Sequence, residues 1–226
     1  MTDLRVTVGA IQIAAAVSFI ANAGIAFGWS TFGREAVLGL WVALALVLAA
    51  FVLARTGGWT RLSAARAAAG MLPVLVALWL AGGMGQRSLG ELEALLPSRA
   101  AHESDGLSWI VNDMGAALAT ARAANRPVFV DFTGYTCGNC RWMEANVFTR
   151  DKVQVALQPF VLVRLFTDGD GSVFAENQAL QESRFGTVAL PLYAVLDSDG
   201  EPRESFIGVA RDVDAFVRFI ERGSRR

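Results

Sequence analysis

Cys137 and Cys140 are the only two cysteines of this 226-residue chain, and they close the run VFVDFTGYTCGNC within residues 128–144. A strand feeding a Cys-x-x-C pair at a helix start has a mechanism built into it. The helix amino terminus stabilises a thiolate on the first cysteine, and the second, one turn further in, resolves the mixed disulfide that the first has formed. Cys137 is therefore the expected exposed attacking thiol and Cys140 the buried resolving thiol. A structural disulfide scaffold needs more bridges in a smaller chain, and a closed zinc site needs about four Cys or His ligands. Here His102 is the only histidine, so the pair reads as redox chemistry, with no metal and no cofactor expected.

Two carboxylates belong to the same constellation. Asp131 lies within an apolar strand, where ionisation is costly and burial raises the pKa, so it can exchange protons with the buried thiol. Glu144 follows Cys140 by four residues and Cys137 by seven, which puts all three on one helix face. A surface salt bridge is the competing reading for each acid. Tyr135, Trp142 and Phe132 flank the cysteines, where lining a groove for an extended partner and simple packing around the helix both fit. Asp168-Gly169-Asp170-Gly171 resembles the start of a calcium loop, but the twelfth position is Ala179 where a bidentate Glu is needed, so a plain loop is expected.

The elements that must position these residues alternate in period from Leu107 onward. A helix from about Asn112, capped by Asn112 or Asp113, runs to Ala124 and is followed by a strand at 127–132. Helices are expected from Cys137 to Asn146, over 151–157 and over 172–184, with strands at 160–166 and 192–196. Asp199-Gly200 signals a hairpin into 205–209, and Asp212 caps a last helix to about Glu221. Pro191 reads as a strand-starting proline. A βαβ unit followed by a hairpin and a terminal helix predicts an α/β sandwich of thioredoxin type over 107–226.

The first part of the chain is different in kind. The whole is 54 % hydrophobic and 18 % charged, too apolar for one ordinary soluble domain. Residues 1–90 hold only eight charged side chains: Asp3, Arg5, Arg34, Glu35, Arg55, Arg61, Arg66 and Arg87. Three uncharged stretches approach or exceed the roughly 20 residues a membrane helix needs, which predicts transmembrane helices near 7–28, 36–54 and 67–83. Residues 55–66 carry three arginines against one in 29–35, so the positive-inside bias places that loop in the cytoplasm and everything after Met84 outside, in the periplasm of a bacterium. A cleaved signal peptide ending near Ala21-Asn22-Ala23 is the competing reading of the first stretch, which is long for that role. Ala10, Ala14, Ser18 and Asn22 form a small-residue stripe, suited either to contacts among the chain's own helices or to docking with another membrane protein. Residues 84–106, with His102, read as a linker containing a short helix before Pro97. With a net charge of −1 and Lys152 as the only lysine, nucleic acid is excluded as a partner.

From these residues the chain resembles the transmembrane thiol:disulfide interchange proteins of DsbD type, which reduce disulfides outside the cytoplasm. GYTCGNCRWME and FGTVALPLY look like that family's carboxy-terminal thioredoxin-like domain, and residues 6–54 with the following loop look like its closing membrane helices. The resemblance implies that Asp131 and Glu144, six residues before and seven after Cys137, tune the pair's proton affinity. It also implies a cis proline at Pro191 that, with Leu190, faces the active site and a bound substrate. The family relays electrons through a second cysteine pair in the membrane and a third in an amino-terminal periplasmic domain, and this sequence has neither. The reading is thus an inner-membrane, multi-pass protein-disulfide reductase with periplasmic protein substrates, recharged by a separate membrane redox protein or else a truncated relative. An oxidant or isomerase of the same fold, or a non-catalytic docking subunit of a split redox complex, is the alternative.

Overall fold

The computed structural model describes residues 2–26, 33–54, 64–85, 87–97 and 107–224. Residues 55–63 of the arginine-bearing loop, residues 27–32 and His102 lie outside the described residues. The chain divides into two compact units, one built on the amino-terminal helices and one on the residues from Gly90 onward.

The first unit holds α1 (Thr2–Ala26), α2 (Arg34–Ala54) and α3 (Ala64–Gly82). Leu4–Ile25 and Arg34–Ala54 are long and apolar enough to cross a membrane, whereas the apolar run of α3, Ala67–Gly82, is shorter. At about 1.5 Å per residue that run covers roughly 24 Å, less than the roughly 30 Å of a hydrocarbon core. Two of the three expected spans therefore have the required length. Ile11, Phe19, Leu72 and Leu78 stand exposed on these helices, the kind of apolar surface that marks contact with lipid or another protein. Trp41 Nε1 donates to the Ala14 carbonyl at 2.8 Å, so at Ala14 the small-residue stripe meets a helix of its own chain.

The second unit is a five-stranded sheet in the order β1-β3-β2-β4-β5, made of Trp109–Val111, Val128–Thr133, Val161–Phe166, Leu192–Leu196 and Pro202–Ile207 respectively as β1, β2, β3, β4 and β5. β1 and β2 run parallel to β3, whereas β4 is antiparallel to both β2 and β5. The helices are α4 (Met114–Ala124), α5 (Gly138–Asn146), α6 (Asp151–Leu157), α7 (Ser172–Phe185) and α8 (Val213–Ser224). β1 was absent from the periodicity, being three residues long. Asp113, not Asn112, caps α4, accepting from Ala116 N at 2.8 Å. Asn112 instead adopts φ 54° and its side-chain oxygen accepts from Phe166 N at 2.8 Å, joining the end of β1 to β3.

Every residue of β2 is buried, and the pleat sends alternate side chains to opposite faces. Val128, Val130 and Phe132 enter the core shared with Ala117 and Ala121 of α4. Phe129 enters the other core, with Met143 of α5, Val153 of α6 and Phe216 of α8. Asp131 and Thr133 share the pleat face of Phe129, so the sheet itself directs both toward the side on which α5 packs.

Candidate active site

α5 begins where β2 ends. Cys137 is its N-cap, and the sulfur accepts from Cys140 N at 3.1 Å, so the helix amino terminus is aimed at the first cysteine. Cys137 is partly exposed and Cys140 is sealed, at 1 % exposure. The two are joined as a disulfide with their Cα atoms 5.3 Å apart. Opening that bond requires attack from outside, and only the Cys137 sulfur is accessible for it.

The turn Gly134–Thr136 that delivers Cys137 is held by a residue the sequence left in a plain loop. Asp168 accepts from Tyr135 N at 2.5 Å, from Thr136 N at 2.8 Å and from Thr136 Oγ1 at 2.6 Å. A Cβ on Gly134 would meet that carboxylate at 2.9 Å, so a glycine there is what allows the close approach. Nothing in the spacing announced the pairing, because Asp168 lies more than thirty positions away, just past the end of β3.

Asp131 is buried and paired. Arg164 Nε on β3 lies 2.8 Å from Asp131 Oδ2, and its guanidinium sits 4.2 Å from the Trp109 ring centroid. Asp131 thus stands in an ion pair, the competing expectation for it, but a buried one and not a surface one. Thr133 Oγ1 donates to Glu144 Oε1 at 3.5 Å, bringing the second acid to the same pleat face. Tyr193 is buried beside them, and burial pushes its hydroxyl well above its ordinary pKa, with the Asp131 and Glu144 carboxylates adding to the shift and Arg164 opposing it. Asp131 and Thr133 thus lie on the sheet face that α5 covers, with Glu144 reaching Thr133 from the helix that Cys137 caps and Cys140 belongs to.

The Leu190–Pro191 peptide bond is cis. Pro191 precedes β4, whose first residue, Leu192, pairs with Phe132. Since β4 runs antiparallel to β2, its start lies at the same sheet end as the turn into Cys137. Tyr135 and Trp142 are engaged within the chain. The Tyr135 ring stacks on Phe166 at 4.0 Å between centroids, and Trp142 Nε1 donates to Glu91 Oε1 at 3.2 Å. Among the described residues, no cluster of His, Cys, Asp or Glu could hold a metal ion.

A thioredoxin-like family model matches residues 109–198. The thiol:disulfide interchange protein DsbD of Ralstonia nicotianae is 30 % identical over 189 residues, covering 74 % of this chain and 30 % of that protein. The chain holds a DsbD-type carboxy-terminal region. It spans less than a third of the length of that relative. The DsbD-type region is also similar to two solved structures. The carboxy-terminal domain of Neisseria meningitidis DsbD, in its oxidised form, is 28 % identical, with a TM-score of 0.38 over 49 % of this chain and 91 % of that one. A thioredoxin from Thermus thermophilus is 25 % identical, with a TM-score of 0.43 over 51 % and 85 %. The redox-active pair of this DsbD-type region is Cys137–Cys140.

Proposed function

We propose that the chain is a membrane-anchored thiol–disulfide oxidoreductase that reduces protein disulfides on the periplasmic side of a bacterial inner membrane. The observation that carries this reading is the partly exposed Cys137 at the amino terminus of α5 with Cys140 sealed behind it. In the dithiol form, the Cys137 thiolate attacks one sulfur of the target disulfide. A Cys137–target bond forms, the target bond breaks, and the departing thiolate takes up a proton. Cys140, deprotonated in turn, attacks Cys137 and releases the second target thiol. The target gains two electrons and two protons, and Cys137–Cys140 is left oxidised, as it stands here.

Asp131 and Glu144 handle the protons of this cycle, Glu144 from the face that Cys137 and Cys140 share. The cis Leu190–Pro191 segment, with Tyr135 and Trp142 to either side of the cysteines in sequence, receives the target chain. All three apolar amino-terminal segments span the bilayer, the shorter run of α3 by local thinning of the hydrocarbon core, with the amino terminus in the cytoplasm, so that residues 107–226 face the periplasm. The two cysteines are spent on the exchange itself, and the electrons are returned by a membrane redox pair other than Cys137–Cys140.

The test is the reduction potential of the whole chain in detergent, by equilibration with glutathione and thiol counting, with Cys137→Ser and Cys140→Ala beside it. A value near or below roughly −220 mV fits a reductant, and one near about −120 mV would make the protein an oxidant instead. Cys140→Ala should accumulate mixed disulfides with target proteins, and Cys137→Ser should abolish exchange. Full exchange by Cys137→Ser would remove the assigned nucleophile.

A further inference from the structure

Residues 90–96 fall in the segment read as a linker, yet they are packed. Gly90–Ala94 forms a 3-10 turn, Leu96 is fully buried, and Glu93 is 3 % exposed. This strap lies along one stripe of α5. Asn146 Nδ2 donates to the Gly90 carbonyl at 3.2 Å, Trp142 Nε1 to Glu91 at 3.2 Å, and Arg141 Nη2 to the Ala94 carbonyl at 2.9 Å. Arg211 clasps the arrangement from the loop before α8, donating to both Glu91 oxygens at 2.7 and 3.1 Å with its guanidinium 4.9 Å from the Trp142 ring centroid. At Gly138, between the two cysteines, an added Cβ would stand 2.7 Å from the Ala94 carbonyl oxygen. The strap therefore touches the Cys-Gly-Asn-Cys turn itself.

Arg141 is the link. Its other terminal nitrogen, Nη1, donates to the Tyr135 carbonyl at 2.6 Å, and the side chain is buried, at 5 % exposure. The guanidinium is thus fastened between the strap and a carbonyl two residues before Cys137. That spacing keeps a permanent positive charge within roughly 10 Å of the Cys137 sulfur. Burial lowers the Arg141 pKa from its ordinary value, opposed by the Glu144 and Asp168 carboxylates.

We propose that the strap is part of the redox centre: by holding the Arg141 guanidinium against the turn into Cys137, it stabilises the Cys137 thiolate and so makes the dithiol a weaker reductant than it would otherwise be. Arg141 is a positioning residue in this scheme, acting through charge. The other charged and titratable groups around the turn are Glu144 on α5, Asp168 after β3, Tyr135, Glu93 of the strap, the Glu91–Arg211 pair, and the Asp131–Arg164 pair beneath. The carboxylates of Glu144 and Asp168 disfavour a thiolate, and Arg141 offsets them. Loss of its charge, or release of the strap, leaves them unopposed.

The proposal rests on Cys137 being the attacking thiol, and the experiment separates the two. Iodoacetamide alkylation of Cys137 is followed against pH in the reduced full chain in detergent, for the parent, Arg141→Gln, Arg141→Lys, Gly138→Ala and the double variant Gly138→Ala/Arg141→Gln. Arg141→Gln should lower the Cys137 acidity constant roughly three- to tenfold, the scale of one unit charge at this range. It should strengthen the dithiol as a reductant of glutathione disulfide by the same factor at pH values above the thiol pKa. Arg141→Lys should recover part of the loss. Gly138→Ala, whose methyl group displaces the strap while leaving Arg141 in place, should lower acidity in the parent and add little in the Arg141→Gln background. An unchanged acidity constant in a folded Arg141→Gln, or a Gly138→Ala effect of equal size in both backgrounds, overturns the proposal. Should Arg141→Gln fail to fold, an unchanged acidity constant in both Gly138→Ala and Arg141→Lys overturns it. A parent whose Cys137 neither alkylates nor exchanges would instead remove the redox reading on which the proposal stands.

Discussion

Asp131 and Arg164 face each other as register partners across the β2–β3 ladder, their charges 2.8 Å apart and both side chains at most 2 % exposed. Taking two charges out of water is expensive, and close pairing is what makes it tolerable. The Trp109 and Phe148 rings lie 4.2 and 5.8 Å from the guanidinium, so the cation is also in contact with aromatic faces.

Removing one partner alone leaves an uncompensated buried charge, a change worth about 3–5 kcal/mol. Arg164→Met and Asp131→Leu should each destabilise by that order, while the double variant recovers most of the loss because apolar groups can replace both. Near-ultraviolet circular dichroism melts of the full chain in detergent check this. Single variants that melt with the parent would show that the pair does not hold the sheet.

Asp168→Ala removes the acceptor of three hydrogen bonds to the Gly134–Thr136 turn. Hydrogen bonds to a charged group contribute about 1.5–3 kcal/mol each, but a surface turn can recruit water, so a net loss of about 1–3 kcal/mol in local stability is expected. Hydrogen exchange at the Tyr135 and Thr136 amides should accelerate by at least roughly fivefold, the exchange equivalent of about 1 kcal/mol. Unchanged protection would mean the turn is fixed from elsewhere.

The strap should loosen in acid. Hydrogen bonds from Arg211 hold the Glu91 carboxyl below its usual range, partly offset by burial, with Arg211's charge and the Trp142 indole adding to the shift. A carboxyl depressed in the folded state contributes stability that is fully present above its unfolded pKa of about 4.3 and is lost as pH falls through the lower folded value. Docking is therefore complete at neutral pH and weakens below about pH 4. Protection of the residue 90–96 amides, corrected for intrinsic exchange, should show this step, and Arg211→Ala should flatten it.

Phe129→Ala should cost about 3–5 kcal/mol, the range for deleting a buried phenylalanine. Six aromatic rings surround it at centroid distances of 6.0 to 6.4 Å: Trp109, Phe148, Phe160, Tyr193, Phe216 and Phe219. They come from strands, loops and helices that all close on one sheet face, so no single neighbour can fill the space. A loss below about 1 kcal/mol in the same melts would mean that this core relaxes around the gap.

The redox pair was legible because its chemistry is local. Cys137 and Cys140 need only a helix start between them, and the strand VFVDFT and the helix Gly138–Asn146 are both written in contiguous residues. The long apolar stretches were legible for the same reason, since span length and missing charge are properties of a single segment. Asp212 as a cap was legible too, and it accepts from Asp214 N and Ala215 N at 2.9 and 3.1 Å.

What the sequence determined by itself, then, was the cysteine pair at a helix start, the α/β order and the apolar amino-terminal half, each set by periods and spacings of a few residues. What the tertiary structure decided was which distant groups surround that pair: Arg164 opposite Asp131, Asp168 beneath the turn, and the strap at Gly138 with Arg141 between. These partners lie 30 to 50 positions apart in the chain. Their meeting depends on sheet register and on how a polar segment packs, and neither leaves a periodic trace in the residues that make it.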